Sequence, residues 1–352
     1  MGVAVAASEQ MPNPRAGTGF DGLVTRLTET LARWDGGWYR AIVHHGYANP
    51  DGTAAPCVAF FPGFPLLVRG LSRVLGVPDL IIAPCVSNLC ALAAGIVFFK
   101  LVASQADTSS AYFATLFLFF APSSIHLSAY YTESLFLLLS IGAYLAAARE
   151  RWLLVAFLGA LASATRATGF LLSLALFINY WQGRGLRRPF SDAWWPNAAI
   201  ALTGTGAVGY ALYLKLAFGS LGVYFKAQAT EWPRRFAAGT FFRMLSDVSS
   251  LTQASVETLL QGFLPSMVAL IGGVWLLHRR RLGDAVLVLG SLFLALGGGT
   301  FESTQRYLLA LFPLYLLPAT LPRLELRAIL LAASAVLMGY WSALFGGGWH
   351  FT

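Results

Sequence analysis

The sequence predicts an all-α polytopic membrane protein with about ten transmembrane or re-entrant helices. Three observations carry this expectation. Of 352 residues, 57% are hydrophobic and only 11% are charged, whereas a soluble domain carries about 25% charged residues. Apolar stretches of roughly 15 to 24 residues follow one another with short polar punctuation between them. Basic residues, finally, gather in every second connection, the pattern that orients spans in a bilayer.

Taken in order, residues 1–19 are rich in Gly, Pro, Ala and Ser and lack the charged start and apolar run of a signal peptide. They read as a disordered leader. Residues 20–34 place Phe20, Leu23, Val24, Leu27, Leu31 and Trp34 at helical spacing, with Arg26, Glu29 and Arg33 between them. This pattern predicts an amphipathic helix lying on the bilayer surface. Residues 33–79 form a first outer loop with amphipathic or re-entrant helices, within a single membrane domain over 20–345 that ends in a short outer tail, 346–352. Ten candidate spans follow at 80–103, 111–121, 130–148, 152–165, 167–181, 196–218, 259–277, 285–298, 307–321 and 328–345. Several fall short of the ~20 residues that cross a ~30 Å hydrocarbon core. Short or broken helices of this kind belong beside a water-filled cavity.

Arg149-Glu150-Arg151, Arg184 with Arg187-Arg188, Arg279-Arg280-Arg281, and Arg323 with Arg327 each follow an odd-numbered span. One orientation places all four in the cytoplasm. Residues 33–47, 122–133, 165–169, 219–258 and 299–306 then share the outer face. The alternation also puts the N-terminus outside before a first span near Leu80. Either residues 59–77, interrupted by Pro62 and Pro65 and made amphipathic by Arg69 and Arg73, enter as a re-entrant hairpin or lie as a surface helix, or a leading span precedes this sequence.

The net charge of +8 by itself suggests nucleic acid, but orientation of the spans explains it in so apolar a chain. No nucleic-acid partner is expected. Cys57, Cys85 and Cys90 form no CxxC pair and imply neither a disulfide framework nor a metal site.

A few polar residues on the outer face remain. Asp35 stands among Trp34, Trp38 and Tyr39, shortly before His44-His45-Gly46-Tyr47. Aromatic rings stack on sugars, and a carboxylate desolvated by them becomes a better base. An interfacial aromatic belt, with Asp35 capping a helix, explains the same residues. Glu133, in Tyr130-Tyr131-Thr132-Glu133-Ser134, begins a strongly apolar helix. It is either a cavity or ion-pair residue or a first-turn carboxylate facing the helix dipole. Arg166 and Arg306 stand alone on the face where orientation does not ask for arginine. Each suits a phosphate, which a guanidinium bonds through two oxygens at once, or else snorkels to headgroups or pairs with Glu302 or Glu133. In the long loop, Tyr224, Lys226, Gln228, Glu231, Trp232, Arg234 and Arg235 read as a solvated surface.

These motifs resemble a known family. Arg33-Trp34-Asp35 with Tyr39 and Gly46-Tyr47, Phe60-Phe61-Pro62 with Pro65-Leu66-Leu67, Ala121-Pro122-Ser123-Ser124 with Tyr130-Tyr131-Thr132-Glu133-Ser134-Leu135-Phe136, Thr165-Arg166 with Gly169, and Gln305-Arg306-Tyr307 are similar in order and rough spacing to the PIG-V-like mannosyltransferases. The resemblance runs from about residue 33 to 320. It implies a GT-C membrane glycosyltransferase that takes a sugar from a polyprenyl-phosphate donor on the outer leaflet; because a monophosphate leaving group beside an arginine needs little further neutralisation, no strict metal requirement and no cofactor are expected. It also implies that Asp35 corresponds to the first-loop aspartate proposed as catalytic base. The family normally has a span before that loop, which this sequence lacks. A content of 3 Lys against 21 Arg looks bacterial, which places the protein in a bacterial plasma membrane and leaves the eukaryotic GPI-precursor acceptor behind.

The reaction expected from these readings is inverting transfer of a hexose, most simply mannose, to a lipid or glycan acceptor. Asp35 takes the acceptor's proton. Arg166 and Arg306 hold the donor phosphate. Trp34, Trp38, Tyr39, His45, Tyr131, Glu133, Glu302 and Tyr307 line the substrate site. A polytopic transporter or flippase with Glu133 and Arg166 as a coupling pair, or a scaffold subunit of a glycosylation complex, is the alternative on the same fold.

Overall fold

The computed structural model describes residues 20–184, 193–232, 239, 259–299, 301 and 303–348. The expected leader, the Arg187-Arg188 pair, Arg234, Arg235, Glu302 and the last four residues of the tail lie outside the described residues. Among the described residues every regular element is helical. Helix α1 (Phe20–Leu31) forms where the amphipathic helix is expected, and α2 (Asp35–His45) and α3 (Gly63–Leu75) follow it, with a 3-10 turn at Pro56–Ala59 between them. The apolar stretches then form α4 (Asp79–Ala103), α5 (Thr108–Phe119), α6 (Glu133–Ala148), α7 (Trp152–Ser163), α8 (Gly169–Arg184), α9 (Trp194–Leu202) and α10 (Thr205–Phe218). After α11 (Gly222–Glu231) come α12 (Leu264–His278), α13 (Leu282–Gly297), α14 (Thr304–Leu309), α15 (Leu316–Ala319) and α16 (Leu324–Gly346).

Residues 59–77 do not fold as a hairpin. Their regular part is the single amphipathic helix α3, with Phe64, Pro65 and Val68 turned inward and Leu66, Val74 and Leu75 exposed. Pro65 sits in the first turn, where its missing N–H breaks no helical bond. Gly63 opens the helix against the α7–α8 turn and donates its N–H to the Ala164 carbonyl at 2.8 Å. A Cβ at this position would lie 2.6 Å from Thr165 Oγ1, so the FFPG segment needs its glycine for close approach.

Helices α4 and α16, with 25 and 23 residues, and the 20-residue run Leu259–His278, a π turn leading into α12, are long and apolar enough to cross a membrane. Helices α9 and α10 are long and apolar enough only when taken together, as a broken span or a re-entrant pair bent by 45°. By contrast α5 to α8 and α13 have 12 to 16 residues, or about 18–24 Å of helix. Their shortfall falls at one end of the bundle. There α5 gives way to irregular chain before α6, a turn at 164–168 joins α7 to α8, and α13 ends at Gly297 before α14. Irregular backbone at membrane depth is tolerated only where protein or a polar cavity covers it. The expected span at 307–321 is likewise broken into α14, a 3-10 turn at Phe312–Tyr315 and α15. Pro313 and Pro318 remove backbone donors there, and a continuous helix does not survive both.

The opposite end is basic and tightly turned. Glu150 and Arg280 take positive φ (55° and 59°) in the α6–α7 and α12–α13 turns. Arg281 Nη2 donates to Gln105 Oε1, Gln182 Nε2 to the Arg280 carbonyl and Arg327 Nη1 to Ser109 Oγ, so these basic connections meet at one end, as their alternation requires.

Helix α6 is the centre of the bundle, packed against α4, α7 and α8 and buried around most of its circumference. Helices α7 and α10 approach through glycine. A Cβ on Gly206 would come within 2.5 Å of the Ala164 nitrogen and 2.7 Å of Ser163 Oγ, whereas one on Gly209 would meet nothing within 4 Å. Small residues of this kind let membrane helices pack backbone to backbone. Gly206→Ala should therefore destabilise the purified protein by about 1–3 kcal/mol through overpacking. Gly209→Ala on the same helix should be neutral or stabilise by about 0.5–1 kcal/mol. Thermal unfolding in one detergent checks the pair, and equal shifts would refute the close packing.

Candidate active site

At the irregular end of the bundle four of the five charged residues singled out in the sequence meet. Glu133, the first residue of α6, has a side chain only 1% exposed, and its Oε1 accepts from Arg166 Nη1 at 2.7 Å. Arg306 Nε lies 3.4 Å from the same oxygen, and Arg306 Nη2 lies 2.5 Å from Asp35 Oδ2. The order Asp35, Arg306, Glu133, Arg166 is thus a chain of alternating charge with no formal net charge. Burying any one of these charges alone would cost several kcal/mol, and the alternation removes that cost.

The backbone places each member. Trp34, the residue before α2, adopts φ 58° and ψ −123°, a conformation few L-residues take. Ser303, before α14, is left-handed at φ 59°. Both arms of the Asp35–Arg306 pair therefore leave a strained residue, a feature that clusters at functional sites. Leu31 accepts from the Tyr130 N–H and Arg33 from the Tyr131 hydroxyl, each at 2.9 Å, which ties the chain before Asp35 to the chain before Glu133. Arg33 extends the brace by donating Nη1 to the Phe345 and Gly346 carbonyls at the end of α16.

Aromatic side chains surround the charges. Arg306 lies over the rings of Tyr131 and Tyr307 at 5.1 and 5.3 Å, and Arg166 over Tyr307 and Phe136 at 5.5 and 6.0 Å. Contacts of this type favour guanidinium by about 0.5–2 kcal/mol each. Tyr39, one turn after Asp35, has its hydroxyl 3.4 Å from Thr132 Oγ1, which also accepts from Arg166 Nη1 at 3.1 Å. Burial, reinforced by the charge of Glu133, holds the Tyr39 phenol well above its ordinary value, so it stays protonated. His126 is pushed down to about 4, chiefly by burial. Its neutral ring donates Nδ1–H to the Ser123 carbonyl at 2.8 Å.

The remaining expected residues divide. Trp34 adjoins Asp35 in the chain. Trp38 stands one turn into α2, stacked with Phe60 and edge-on to Trp232 of the long loop. The Gly46-Tyr47 and Phe60-Phe61-Pro62 motifs are framework, since Tyr47 donates to the Phe60 carbonyl and Tyr210 to that of Val58. His45 is a correction to the sequence expectation. It is exposed at the far end of α2, ten residues or about 15 Å along the helix from Asp35, and its neighbour His44 bonds Asp79. Thr132, Arg33 and Ser123 were missed by sequence reasoning. Each stands inside a motif that carries the family resemblance, beside Trp34-Asp35, Ser124 and Glu133, and that membership was the signal available. Among the described residues no group of three or more His, Cys, Asp or Glu is placed to hold a metal ion.

Asp35 differs from the others in access. Its side chain is 18% exposed, against 1% for Glu133, 9% for Arg166 and 8% for Arg306. Asp35 Oδ2 holds Arg306, and among the described residues no hydrogen bond or ion pair to Oδ1 is found. The cluster therefore presents a carboxylate at its mouth and a guanidinium directly behind.

A helical bundle with several membrane-length apolar helices and a buried charged site at one end defines a polytopic integral membrane protein. Comparison with known families completes the identification: the chain belongs to the mannosyltransferase (PIG-V) family, whose sequence model matches residues 4–191. No curated protein matches the chain. The matched segment holds Asp35, Thr132, Glu133 and Arg166, and Arg306 reaches them from beyond it.

The shared position of Glu133 yields a stability prediction. Arg166→Gln leaves that buried carboxylate to Arg306 alone and should cost about 3–5 kcal/mol. Glu133→Gln combined with Arg166→Gln should recover part of the loss, because no unpaired charge then remains. Unfolding of the single and double variants checks this, and a double variant that loses the sum of both single effects would contradict it.

Proposed function

We propose that this mannosyltransferase takes its sugar from a polyprenyl-phosphate donor and passes it, with inversion, to a lipid or glycan acceptor at the outer face of a bacterial plasma membrane. The observation that carries the reading is the Asp35–Arg306 pair: an accessible carboxylate and a buried guanidinium 2.5 Å apart. The basic connections at the opposite end of the bundle support the outer assignment through the positive-inside tendency.

The donor phosphodiester brings one negative charge into a neutral cluster. Arg306 turns a nitrogen from Asp35 to a phosphate oxygen, an exchange of one oxyanion partner for another. Asp35 accepts the proton of the acceptor hydroxyl while that oxygen attacks the anomeric carbon. The bond from that carbon to the phosphate oxygen breaks, and its electron pair leaves with the lipid phosphate. Arg306 meets the second negative charge that develops there, in a site largely closed to water where the interaction is strong. Glu133 and Arg166 anchor Arg306 from behind. Trp34, Trp38 and Tyr39 supply the faces against which the sugar packs.

Asp35→Asn keeps the size of the side chain and removes the base. With polyprenyl-phosphate mannose, turnover should fall about 10²–10⁴-fold, and turnover near wild type would show that Asp35 is not the base. Arg306→Gln removes a charged hydrogen bond worth about 1.5–3 kcal/mol. Its donor dissociation constant, measured in detergent, should rise roughly tenfold or more; an unchanged constant would move the phosphate elsewhere.

A further inference from the structure

A second buried carboxylate stands beside the helix that carries Asp35. Asp79 opens α4, and its side chain is only 8% exposed. A carboxylate in the first turn of a helix faces the favourable end of the dipole, which accounts for the residue type and not for its burial. Partners from two other elements account for the burial. His44 Nε2 donates to Asp79 Oδ1 at 3.1 Å, Arg40 Nε lies 3.4 Å from Oδ2, and the Tyr130 hydroxyl donates to Oδ2 at 3.3 Å. Both oxygens are engaged and the group is less exposed than Asp35, which leaves the role of base with Asp35.

The turn of α2 gives this contact its reach. At about 100° per residue, Asp35 and Tyr39 share one side of the helix, whereas Arg40 and His44 stand about 140–180° round from Asp35. Asp79 therefore grips α2 from the side opposite the charged cluster. On the cluster side the Tyr39 hydroxyl meets Thr132 Oγ1. Tyr130 completes the grip, since it is wholly buried and its N–H donates to the Leu31 carbonyl just before α2. A Cβ on Gly36 would lie 3.4 Å from Tyr130 Cβ, so the two segments run in contact. Three residues after Tyr130 the same chain reaches Glu133. One carboxylate thus joins the arm that carries Asp35, the arm that carries Glu133 and the start of the membrane-length helix α4.

Such a grip is what the Asp35–Arg306 meeting requires. Trp34 and Ser303, before the two arms, hold sparsely populated backbone conformations, and these persist only where the surroundings fix them. A displacement of about 1 Å at a reacting group costs about 10²-fold in rate.

We propose that Asp79 is a positioning residue: by holding Arg40, His44 and Tyr130 it sets the orientation of α2 and keeps Asp35 in line with Arg306 and the acceptor hydroxyl. It acts through Asp35 and not on the substrate. The proposal rests on the reading above in which Asp35 is the base.

The test compares full-length variants in nanodiscs of total bacterial lipid, the probe for the acceptor, with radiolabelled polyprenyl-phosphate mannose as donor. Asp79→Asn keeps the size of the side chain and removes its charge. It should lower kcat about 10–100-fold without raising the donor dissociation constant, because Arg306, Glu133 and Arg166 stay in place. Asp79→Glu should restore most of that rate, and Tyr130→Phe, which removes a single hydroxyl, should lower kcat by a smaller factor. In an Asp35→Asn background Asp79→Asn should cost no further rate, since a base that is absent cannot be misplaced. Asp284→Asn removes a buried carboxylate held by Arg281 and Asn179 at the basic end, and should leave kcat unchanged.

Wild-type kcat in both Asp79→Asn and Tyr130→Phe, an equal fall in Asp284→Asn, a donor constant that rises in step with the fall in kcat, or an undiminished loss in the Asp35→Asn background overturns the proposal. Asp35→Asn alone with wild-type turnover, or a wild-type chain that releases no lipid phosphate from the donor, overturns the reaction proposed above and this proposal with it.

Discussion

The structure depends on keeping one carboxylate charged inside a membrane bundle. Glu133 begins the most buried helix, 1% exposed, and an isolated charge there would cost several kcal/mol. Two arginines from distant parts of the chain remove that cost, and their arrival dictates much of the architecture. Helices α7 and α8 must turn where Arg166 meets Glu133, and the chain after α13 must bring Arg306 to the same point. The short helices follow from this meeting, because their site ends give way to irregular backbone that only a polar, protein-covered environment tolerates.

In the proposed reaction, neutrality of the cluster is what lets it serve an anionic donor without holding one at rest. Two carboxylates and two guanidinium groups balance, so a donor phosphate finds no unused cation. It competes with Asp35 for Arg306 instead. In that proposal Asp35 is the member that yields, being the most exposed and, among the described residues, bonded through one oxygen, and the strained backbone at Trp34 lies directly before it. Glu133 and Arg166 are built to stay. Under the proposed reaction, binding of the donor and release of the base are a single event, which would keep Asp35 engaged until a sugar is present.

Much of this was legible in the sequence, for a physical reason. Charge is scarce in a membrane chain, so each charge that orientation leaves unexplained marks a site, and Asp35, Glu133, Arg166 and Arg306 do converge. The apolar runs likewise became helices close to their expected bounds, because the span from one polar break to the next sets helix length. Features made by contact between distant segments were not legible. The break within 307–321 depends on Pro313 and Pro318 acting in a packed setting. The brace from Arg33 to the end of α16 joins residues more than 300 positions apart. His45 belongs to the same helix as Asp35, yet helix length carries it away from the site. That Arg306 answers both Asp35 and Glu133 is equally a matter of three-dimensional meeting, since its neighbourhood in the chain names only Glu302.

The central claim is that Arg306 exchanges Asp35 for the donor phosphate. A structure of the full chain with a non-hydrolysable polyprenyl-phosphate mannose analogue, solved by electron microscopy in nanodiscs, measures this directly. The exchange predicts a phosphate oxygen within hydrogen-bond distance of Arg306, Asp35 turned from the guanidinium toward the anomeric carbon, and Glu133 still paired with Arg166. An intact Asp35–Arg306 pair with the phosphate bound elsewhere would contradict it.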